Sequence, residues 1–348
     1  MKAALTDGKG KVWISELPLP VPGDYECLCR IDACATCTGT DKKLISGKMS
    51  WAKPENYPAA LGHESVGTVI QVGKKVRNIS PGERFLRPAA WYLGMVKDGI
   101  TSFMGGFAEY GLVTDVEALA EDHPEITPPY YCRYQQRIPA DVEISDADAT
   151  MLVTMKEIYS FIRDVGIKSG DKVAVLGAGA VGMSMIFFAK LAGADVAVAA
   201  RREEQLAMCR NIGVDHTVNI AEKDLRKSLL EWSGDGVGFI LDAAGSSEML
   251  IAASGALAYA GAVCAYAGGN GIVENFSKLD LPVSWKIISS PPQEDSAHEH
   301  LIALARDKKI PFHHFYTGVM PLEDIADGFE KIFAKKQGKM VFLMHTSV

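Results

Sequence analysis

Four side chains capable of metal or redox chemistry lie close together in the segment ACATCTGTDKK, at residues 33–43. Cys34 and Cys37 form a C-x-x-C pair, and Thr40 and Asp41 follow them directly. Such a segment fits a redox dithiol, half of a structural metal site, or one arm of a catalytic metal site. The segment alone does not distinguish these sites, because each requires different partners elsewhere in the chain.

A second chemically informative segment lies in mid-chain, where the apolar run KVAVL leads directly into GAGAVG. Gly177, Gly179 and Gly182 have the spacing G-x-G-x-x-G between a predicted strand and a predicted helix, with Ala180 and Val181 in the same turn. Glycine permits a tight turn close to a pyrophosphate, and the helix N-terminus supplies amide groups for it. We predict a dinucleotide site here; a glycine-rich turn without ligand is the alternative.

The end of the next predicted strand indicates which dinucleotide is bound. NAD sites usually carry Asp or Glu about twenty residues after the glycines, where it accepts hydrogen bonds from the ribose. Here the sequence reads VAVAARREE, with Arg201 and Arg202 instead of a carboxylate. Two guanidinium groups favour a 2′-phosphate, so we predict NADP(H). The alternative is a pair of solvated arginines at a helix start.

The elements that position these residues change in character along the chain. The first 140 residues contain short strand-like runs with turn signals between them, as in an antiparallel, barrel-like unit; the runs are VWISELPLP, ECLCRIDAC, SVGTVIQVG and FAEYGLVT. Residues 118–138 contain three prolines and fit neither the helix nor the strand period, so we predict a long loop.

From about residue 145, strand-like and helical runs alternate, which predicts βαβ units and a parallel sheet. Ser145 or Asp146 is expected to cap the first helix. The predicted strands are KVAVLG, ADVAVAA, HTVNI, GFILDAA and AVCAYAG, and the helices between them are MSMIFFAKLAG, EEQLAMCRNIG and SEMLIAASGALAYAG. After about residue 295 the chain returns to helix-then-strand segments and ends in GKMVFLM.

Composition and charge exclude several classes of function. A chain of 348 residues predicts two domains, and a net charge of −7 without a long basic run argues against nucleic acid or anionic lipid as partner. We see neither a signal peptide nor the roughly 18 apolar residues of a membrane span. Seven cysteines, an odd number, predict free thiols in a reducing cytoplasm.

Six segments together resemble the zinc-dependent medium-chain alcohol and polyol dehydrogenases, in the family order and over nearly the whole chain. They are CTGTD (37–41), GHESVGTVIQVG (62–73), SPGERF (80–85), GGFAEY (105–110), GAGAVG (177–182) and DAAG (242–245). The resemblance implies an α/β protein with a GroES-like β-barrel catalytic domain at 1–145 and 295–348. It also implies a Rossmann domain with a doubly wound parallel sheet at 146–294, Ala243 at the cofactor, and a homodimer or homotetramer.

The same resemblance assigns roles at the predicted catalytic zinc. The family's zinc-binding cysteine and histidine correspond to Cys37 and His63, and Glu64 corresponds to an acidic neighbour that binds zinc directly in some members. Thr40 matches the hydroxyl that passes the substrate proton outward. Asp41 matches the carboxylate that orients the zinc-bound histidine.

Two departures from the family pattern concern this metal. Three residues, rather than two, separate the ligand cysteine from the aspartate. We interpret this as one inserted residue that brings Cys37 to the metal, with Cys34 as a lesser alternative ligand. The position of the family's third ligand falls on Val153 and Thr154, neither of which can replace it. Glu157, one helical turn further, is a candidate third ligand, and is equally well explained as a solvated helix residue. The alternatives are that Cys37, His63 and Glu64 hold the metal, or that the site has lost it.

Other cysteines of the chain have simpler explanations. Many family members carry a four-cysteine structural zinc lobe, but the corresponding residues 86–107 contain no cysteine, so we predict no structural zinc. Cys27 and Cys29 are expected to be buried thiols. A four-cysteine metal cluster that includes Cys34 and Cys37 is the alternative.

The predicted activity is a zinc-dependent transfer of hydride between NADP(H) and a small-molecule secondary alcohol or ketone, with a polyol or sugar-derived substrate favoured by the resemblance. The alternatives are a zinc-free medium-chain NADPH reductase for enones or quinones, a non-catalytic NADPH-binding protein, and a CxxC redox protein. Aromatic residues are candidate pocket walls, although ordinary packing explains each of them better; they are Trp51, Tyr57, Trp91, Tyr92, Tyr130, Tyr131 and Tyr134.

Overall fold

The chain folds into two compact units. The structure, a computed structural model, describes residues 1–266 and 275–345. The first unit comprises Met1–Val153 and His298–Val348, and the second comprises Thr154–Ala297. Both boundaries lie slightly further along the chain than the sequence predicted. No helix among the described residues is both long enough and apolar enough to cross a membrane.

Strands dominate the first unit and alternate with helices in the second. The strands are β1 (Lys2–Thr6), β2 (Val12–Glu16), β3 (Glu26–Ala35), β4 (Ala59–Ala60), β5 (Glu64–Val72), β6 (Arg84–Leu86), β7 (Val96–Lys97), β8 (Ile100–Ser102), β9 (Tyr110–Thr114), β10 (Arg137–Ile138), β11 (Lys172–Leu176), β12 (Asp195–Ala200), β13 (His216–Asn219), β14 (Val237–Asp242), β15 (Leu257–Ala265), β16 (Trp285–Ile288), β17 (Gly318–Pro321) and β18 (Met340–Leu343).

The helices are α1 (Thr38–Ile45), α2 (Val116–Asp122), α3 (Asp146–Val165), α4 (Ala180–Leu191), α5 (Glu203–Asn211), α6 (Leu225–Ser233), α7 (Ser247–Ser254), α8 (Glu294–Arg306) and α9 (Ile325–Phe333). Short 3₁₀ helices cover Pro54–Asn56, Tyr130–Tyr134, Phe276–Lys278, Phe312–His314 and Leu322–Asp324.

Two sheets form the first unit. One has the strand order β2-β1-β4-β8-β7, and the other has the order β10-β6-β5-β3-β18-β17, with β9 also paired to β3. In the second sheet β3 runs antiparallel to both β5 and β18, so that Ala35 is paired with Glu64 on one side and with Val341 on the other. The predicted antiparallel character is therefore observed, while a closed barrel stays a prediction.

Aromatic packing fixes the late strand β18 against the earlier part of the unit. Phe107 contacts both Phe329 of α9 and Phe342 of β18 edge-to-face, with ring centroids 5.9 and 5.8 Å apart. All three rings are buried. Complete burial of one such side chain stabilises the fold by about 1.5–3 kcal/mol, so this cluster holds the segment after residue 298 in place.

The second unit contains the predicted parallel sheet, with the strand order β13-β12-β11-β14-β15-β16. Each neighbouring pair is parallel, and β11, the first strand in sequence, lies between β12 and β14. This is the doubly wound order, in which nucleotides bind at the carboxyl ends of the central strands. Small and β-branched side chains fill the sheet core; Ala174, Ala197, Ile240 and Val263 are all buried.

Two local predictions were wrong, and one helix was not predicted. Residues 118–138 are not one loop: α2 enters the segment because Asp115 accepts a hydrogen bond from the Ala118 amide at 3.0 Å, which is an N-cap. The predicted helix SEMLIAASGALAYAG ends at Ser254, and its alanine-rich second half belongs to β15 because Leu257 pairs with Val237 of β14. Helix α6, capped by Asp224, was missed.

The predicted start of α3 is confirmed, because the Ser145 hydroxyl accepts a hydrogen bond from the Asp148 amide at 3.1 Å. The end of the predicted strand AVCAYAG, at residues 267–268, lies outside the described residues.

Candidate metal centre and dinucleotide site

The β3–β5 ladder brings Cys37 to His63 and Glu64. Cys37 lies two residues after β3, while Glu64 is the first residue of β5. Because Ala35 is paired with Glu64, the chain leaving β3 and the chain entering β5 are neighbours. Gly62 allows this entry: its φ is +101°, and a Cβ there would lie 2.4 Å from the Phe107 nitrogen.

Cys37, His63 and Glu64 each offer one donor atom, and these atoms lie within 4.8 Å of one another. Within the described part of the chain, no other group of three or more His, Cys, Asp or Glu side chains has this geometry. Thiolate, imidazole and carboxylate are the ligands that zinc prefers, and shifts of less than about 1 Å bring such donors to bonding distance. The three residues therefore fit a zinc ion.

Asp41 lies beside the His63 imidazole, on its Nδ1 side. Its Oδ2 atom accepts a hydrogen bond from the Cys37 amide at 2.8 Å, whereas the buried Oδ1 atom has no hydrogen bond and lies 3.7 Å from His63 Nδ1. Burial raises the pKa of Asp41 to about 6, against the opposing effect of His63. The carboxylate is thus placed to accept a hydrogen bond from a protonated Nδ1, which leaves Nε2 as the metal-binding nitrogen.

Thr40 lies in the first turn of α1, the helix whose N-cap is Cys37. The Cys37 Sγ and Thr40 Oγ1 atoms are 3.5 Å apart. Both residues are partly exposed, unlike Asp41. The hydroxyl therefore lies beside a candidate ligand and has access to solvent, as a proton relay requires.

Lys339 is a component of this site that sequence reasoning missed. Its ammonium group donates hydrogen bonds to Glu64 Oε2 and to the carbonyl of Thr36, the latter at 2.9 Å. Lys339 and Glu64 are both buried, and Oε1 of Glu64 faces His63 Nε2 at 4.0 Å. The lysine thus compensates the carboxylate charge, while the other carboxylate oxygen lies on the side of His63. The lysine directly before the apolar strand of GKMVFLM was the available signal.

The remaining early cysteines do not join the metal centre. Cys34 is fully buried, and burial raises the pKa of its thiol well above the usual range. Cys27 and Cys29 are buried thiols as predicted. Among the described residues these thiols form neither a disulfide nor a four-cysteine cluster.

Neither Val153 nor Thr154, at the family's third-ligand position, has a side chain that replaces a zinc-binding Cys, Asp or Glu. Val153 is completely buried at the end of the first unit's part of α3. Glu157 belongs to the second unit, where its Oε2 atom accepts a hydrogen bond from the Tyr266 hydroxyl at 3.1 Å. This hydrogen bond gives the Glu157 carboxylate a partner within its own unit, and its assignment as a metal ligand stays a prediction.

The glycines of GAGAVG have three different roles. Gly177 has a φ of +109°, which a side chain rarely adopts. A Cβ on Gly182 would lie 1.9 Å from the Gly177 carbonyl oxygen, so this position has no space for a side chain. A Cβ on Gly179 would meet no protein atom within 4 Å. The protein's own packing therefore does not require glycine at 179, whereas the close approach of a pyrophosphate would.

The first turn of α4 is open to an anion. Gly179 is its N-cap and provides no side-chain hydrogen bond to the amides of Ala180, Val181 and their neighbours. Free amides and the positive end of the helix dipole favour a phosphate at this point. Ala243 closes the base of the turn, since its amide donates to the Leu176 carbonyl at 3.0 Å.

Arg201 and Arg202 follow β12 directly, as predicted, but each already has a partner. Arg201 Nη2 lies 3.1 Å from Glu248 Oε2, and Arg202 Nε donates to Gln205 Oε1 at 3.2 Å. Glu248 was not singled out from the sequence. Its position in the first turn of α7, shortly after the DAAG segment, was the only signal.

Several candidate pocket aromatics make ordinary packing contacts. The Tyr57 hydroxyl donates to the Leu44 carbonyl at 2.8 Å, and the buried Trp91 donates to the Met95 carbonyl at 3.0 Å. Trp51 packs edge-to-face on Phe103. Their roles in a substrate pocket stay predictions.

Two segments of the chain match models of known protein families. Residues 23–121 match the family model of the alcohol dehydrogenase GroES-like domain. Residues 180–285 match the family model described as zinc-binding dehydrogenase. The first match contains Cys37, His63 and Glu64. The second contains residues 180–182 of the GAGAVG turn, together with Arg201 and Arg202.

Individual proteins show the same likeness over most of the chain. The NADP-dependent isopropanol dehydrogenase of Thermoanaerobacter brockii is 27% identical over 263 residues, which cover 70% of this chain and 69% of that protein. A sorbitol dehydrogenase of Halalkalibacterium halodurans is 23% identical over 87% of both chains. A Sinorhizobium meliloti protein described as a zinc-binding dehydrogenase, solved with bound NADP, has the same fold with a TM-score of 0.77, 23% identity and 98% coverage of both chains.

Proposed function

Since the chain belongs to the zinc-type medium-chain dehydrogenase/reductase family, we propose that it is a zinc-dependent oxidoreductase using NADP(H). It transfers hydride between the nicotinamide and a secondary alcohol or the corresponding ketone. We place the metal in a GroES-like barrel formed by the first unit, and the dinucleotide at the carboxyl ends of the parallel strands in the second.

The observation that carries this proposal is the convergence of Cys37, His63 and Glu64, with donor atoms within 4.8 Å of one another. The orphaned Oδ1 atom of Asp41 beside the imidazole adds to it, because a buried carboxylate oxygen without hydrogen bond requires a partner. Metal binding at His63 Nε2 would leave the proton on Nδ1 and so provide that partner.

Zinc, when bound by these residues, supplies a Lewis acid that favours the deprotonated form of an alcohol and polarises a carbonyl group. The Cys37 thiolate, His63 Nε2 and the Glu64 oxygen that faces His63 would hold the ion. Asp41 keeps the imidazole in the required tautomer and orientation.

The proton and the hydride leave the alcohol by different routes. In oxidation, Thr40 would accept the hydroxyl proton and pass it to solvent, and NADP⁺, when held by the second unit, would supply the acceptor for the hydride on the carbinol carbon. In reduction, Thr40 would return the proton and NADPH would supply the hydride. The exposed side of Thr40 supports this role, because a proton released into a closed site could not leave.

The dinucleotide is held by backbone and arginines of the second unit. The amides at the start of α4 take the pyrophosphate, for which the open space at Gly179 leaves room. Arg201 and Arg202 pair with the 2′-phosphate, since these arginines, and not a carboxylate that would bind an unmodified ribose, directly follow β12. The NADP-dependent relative of Thermoanaerobacter brockii supports the same cofactor choice.

We propose a polyol or a sugar-derived ketone as the substrate class. The likeness to a sorbitol dehydrogenase over 87% of the chain supports this choice. The acidic neighbour in the GHE segment supports it as well, through the family resemblance.

Metal analysis of protein purified without chelators tests the proposal, together with turnover of NADPH and NADP⁺ on a panel of polyols, small secondary alcohols and their ketones. We expect about one zinc per chain in the parent protein and in Cys34→Ala, a neighbouring cysteine outside the cluster. We expect Cys37→Ser and His63→Ala to lose the zinc and the turnover together.

Absence of stoichiometric zinc, with NADPH-dependent reduction of enones or quinones that survives Cys37→Ser, would replace this proposal by a zinc-free reductase. Cofactor binding without turnover on any carbonyl of the panel would instead indicate a non-catalytic NADPH-binding protein.

A further inference from the structure

Arg201 and Glu248 meet across the carboxyl end of β11. Arg201 directly follows β12, and Glu248 lies in the first turn of α7, shortly after β14. Because β12 and β14 lie on opposite sides of β11, the Arg201 and Glu248 side chains together span two inter-strand spacings, roughly 10 Å. The turn at Gly177–Gly182 leaves the same end of β11, so the pair bridges the crevice where doubly wound sheets bind nucleotides.

Hydrogen bonds fix the segment that carries Glu248. Asp242 Oδ1 accepts from the amides of Ala244 and Gly245 at 3.1 and 2.8 Å, which shapes the turn after β14. Ser246 then caps α7 by accepting from the Met249 amide at 3.4 Å. The carboxylate is therefore presented from an ordered helix start rather than from a long irregular loop.

The pair itself is open to solvent. The Arg201 side chain is 61% exposed and that of Glu248 is 86% exposed. Exposed ion pairs of this kind are weak and screened by salt, so a bound anion can displace the carboxylate. A phosphate dianion that forms two hydrogen bonds with the guanidinium is such a competitor.

We propose that Glu248 is a specificity-determining residue that competes with the 2′-phosphate of NADP(H) for Arg201. This inference rests on the proposed NADP(H) function of the same site. The carboxylate occupies one edge of the guanidinium and places a negative charge beside the dianion. NAD(H) has no 2′-phosphate and binds without opening the pair, so Glu248 narrows the preference for NADP(H) over NAD(H).

Calorimetric titration of the full-length protein tests the competition, with NADPH, NADH, 2′,5′-ADP and 5′-AMP as ligands at low and high salt. The variants are Glu248→Gln, Arg201→Ala and the double variant. Glu231→Gln is the matched control, because it removes the same charge from another exposed pair of the second unit, with Lys227.

We expect Glu248→Gln to strengthen the binding of NADPH and 2′,5′-ADP about three- to five-fold, as the loss of a competing exposed ion pair allows. Binding of NADH and 5′-AMP should change by less than about two-fold, so the ratio between the two cofactors shifts. The gain should shrink at high salt and disappear in the Arg201→Ala background.

The remaining outcomes separate this inference from the proposed function. If Arg201→Ala weakens NADPH binding and Glu248→Gln does not strengthen it, the competition is refuted and the cofactor assignment stands. A gain that persists without Arg201, or that Glu231→Gln reproduces, shows a general charge effect and also refutes it. If Arg201→Ala leaves NADPH binding unchanged, both the assignment of Arg201 to the 2′-phosphate and the competition by Glu248 are refuted.

Discussion

Lys339 and Glu64 form a buried ion pair, in which the ammonium group also donates to the Thr36 carbonyl at 2.9 Å. The pair exists because β18 is antiparallel to β3, so that the residue before β18 reaches the end of β3 and the start of β5. The charge of a candidate metal ligand is therefore balanced by a residue that follows it by 275 positions in the chain.

Lys339→Met should destabilise the metal-free protein by about 3–5 kcal/mol, because it leaves a buried carboxylate without its cation. In zinc-loaded protein the loss should be smaller, since the metal also compensates Glu64. Urea unfolding with and without a chelator measures both values. Lys309→Met, which removes an exposed partner of Asp307, is the control and should change stability by less than about 1 kcal/mol. Equal losses with and without metal would contradict a link between Lys339 and the metal centre.

Cys37 should be the cysteine that reacts first with iodoacetamide in the native protein at neutral pH. It is partly exposed, whereas the other six cysteines are buried. Burial raises the pKa of Cys27, Cys209 and Cys264 to about 12, so those thiols carry little thiolate. Peptide mass mapping after partial alkylation identifies the site, and Cys37→Ser should abolish the rapid phase. Added zinc should slow it; fast alkylation of Cys34 instead would disprove the assignment of Cys37 as the accessible ligand.

Asp41 should make the stability of the chelator-treated protein depend on pH. Burial raises the pKa of Asp41 to about 6, above its value of about 4 in an unfolded chain. Between these two pH values the native state holds a proton that the unfolded chain has released, so the free energy of unfolding falls as pH rises through this window. The loss is on the order of 2–3 kcal/mol, at about 1.4 kcal/mol per pKa unit.

Urea titrations from pH 4 to 7 on the parent and on Asp41→Asn measure this effect. The amide cannot ionise, so the difference in stability between variant and parent should grow with pH and level off above about pH 6. Parallel curves for the two proteins would show that the Asp41 pKa is not raised.

The glycines at 179 and 182 should respond differently to the same substitution. Gly182→Ala places a Cβ 1.9 Å from the Gly177 carbonyl oxygen and should lower the stability of the second unit, with a lower thermal midpoint. Gly179→Ala meets no protein atom within 4 Å and should leave that midpoint nearly unchanged. Its methyl group would instead occupy the space proposed for the pyrophosphate, so NADPH affinity should fall at least ten-fold in calorimetry. Unchanged NADPH affinity in Gly179→Ala would argue against a pyrophosphate at this turn.

The sequence predicted the parts of the site that depend on local pattern. The glycine turn between β11 and α4 and the adjacent His63 and Glu64 are recognisable because their neighbours in sequence are also their neighbours in space. Ala35 and Glu64, by contrast, are brought together by strand register, which no local pattern specifies. Only the family resemblance placed Cys37 beside His63 before the structure was known.

Charge partners were the least predictable component. Lys339 pairs with Glu64, and Glu248 pairs with Arg201, although in sequence each resembles an ordinary charged residue at the end of an element. Helix α2 was not predicted for a related reason. A helix of seven residues has little stability of its own, so α2 depends on the Asp115 cap and on tertiary contacts.

The pairing of β18 with β3 also determines when the metal centre can be completed during protein synthesis. Glu64 leaves the ribosome 275 residues before Lys339, an interval of roughly 15–55 s at translation rates of 5–20 residues per second. Until Lys339 is synthesised, the Glu64 carboxylate lacks the ammonium group that balances its charge in the folded chain, although Cys37, His63 and Glu64 have long been made. The charge balance of the candidate metal centre is therefore completed only near the end of synthesis.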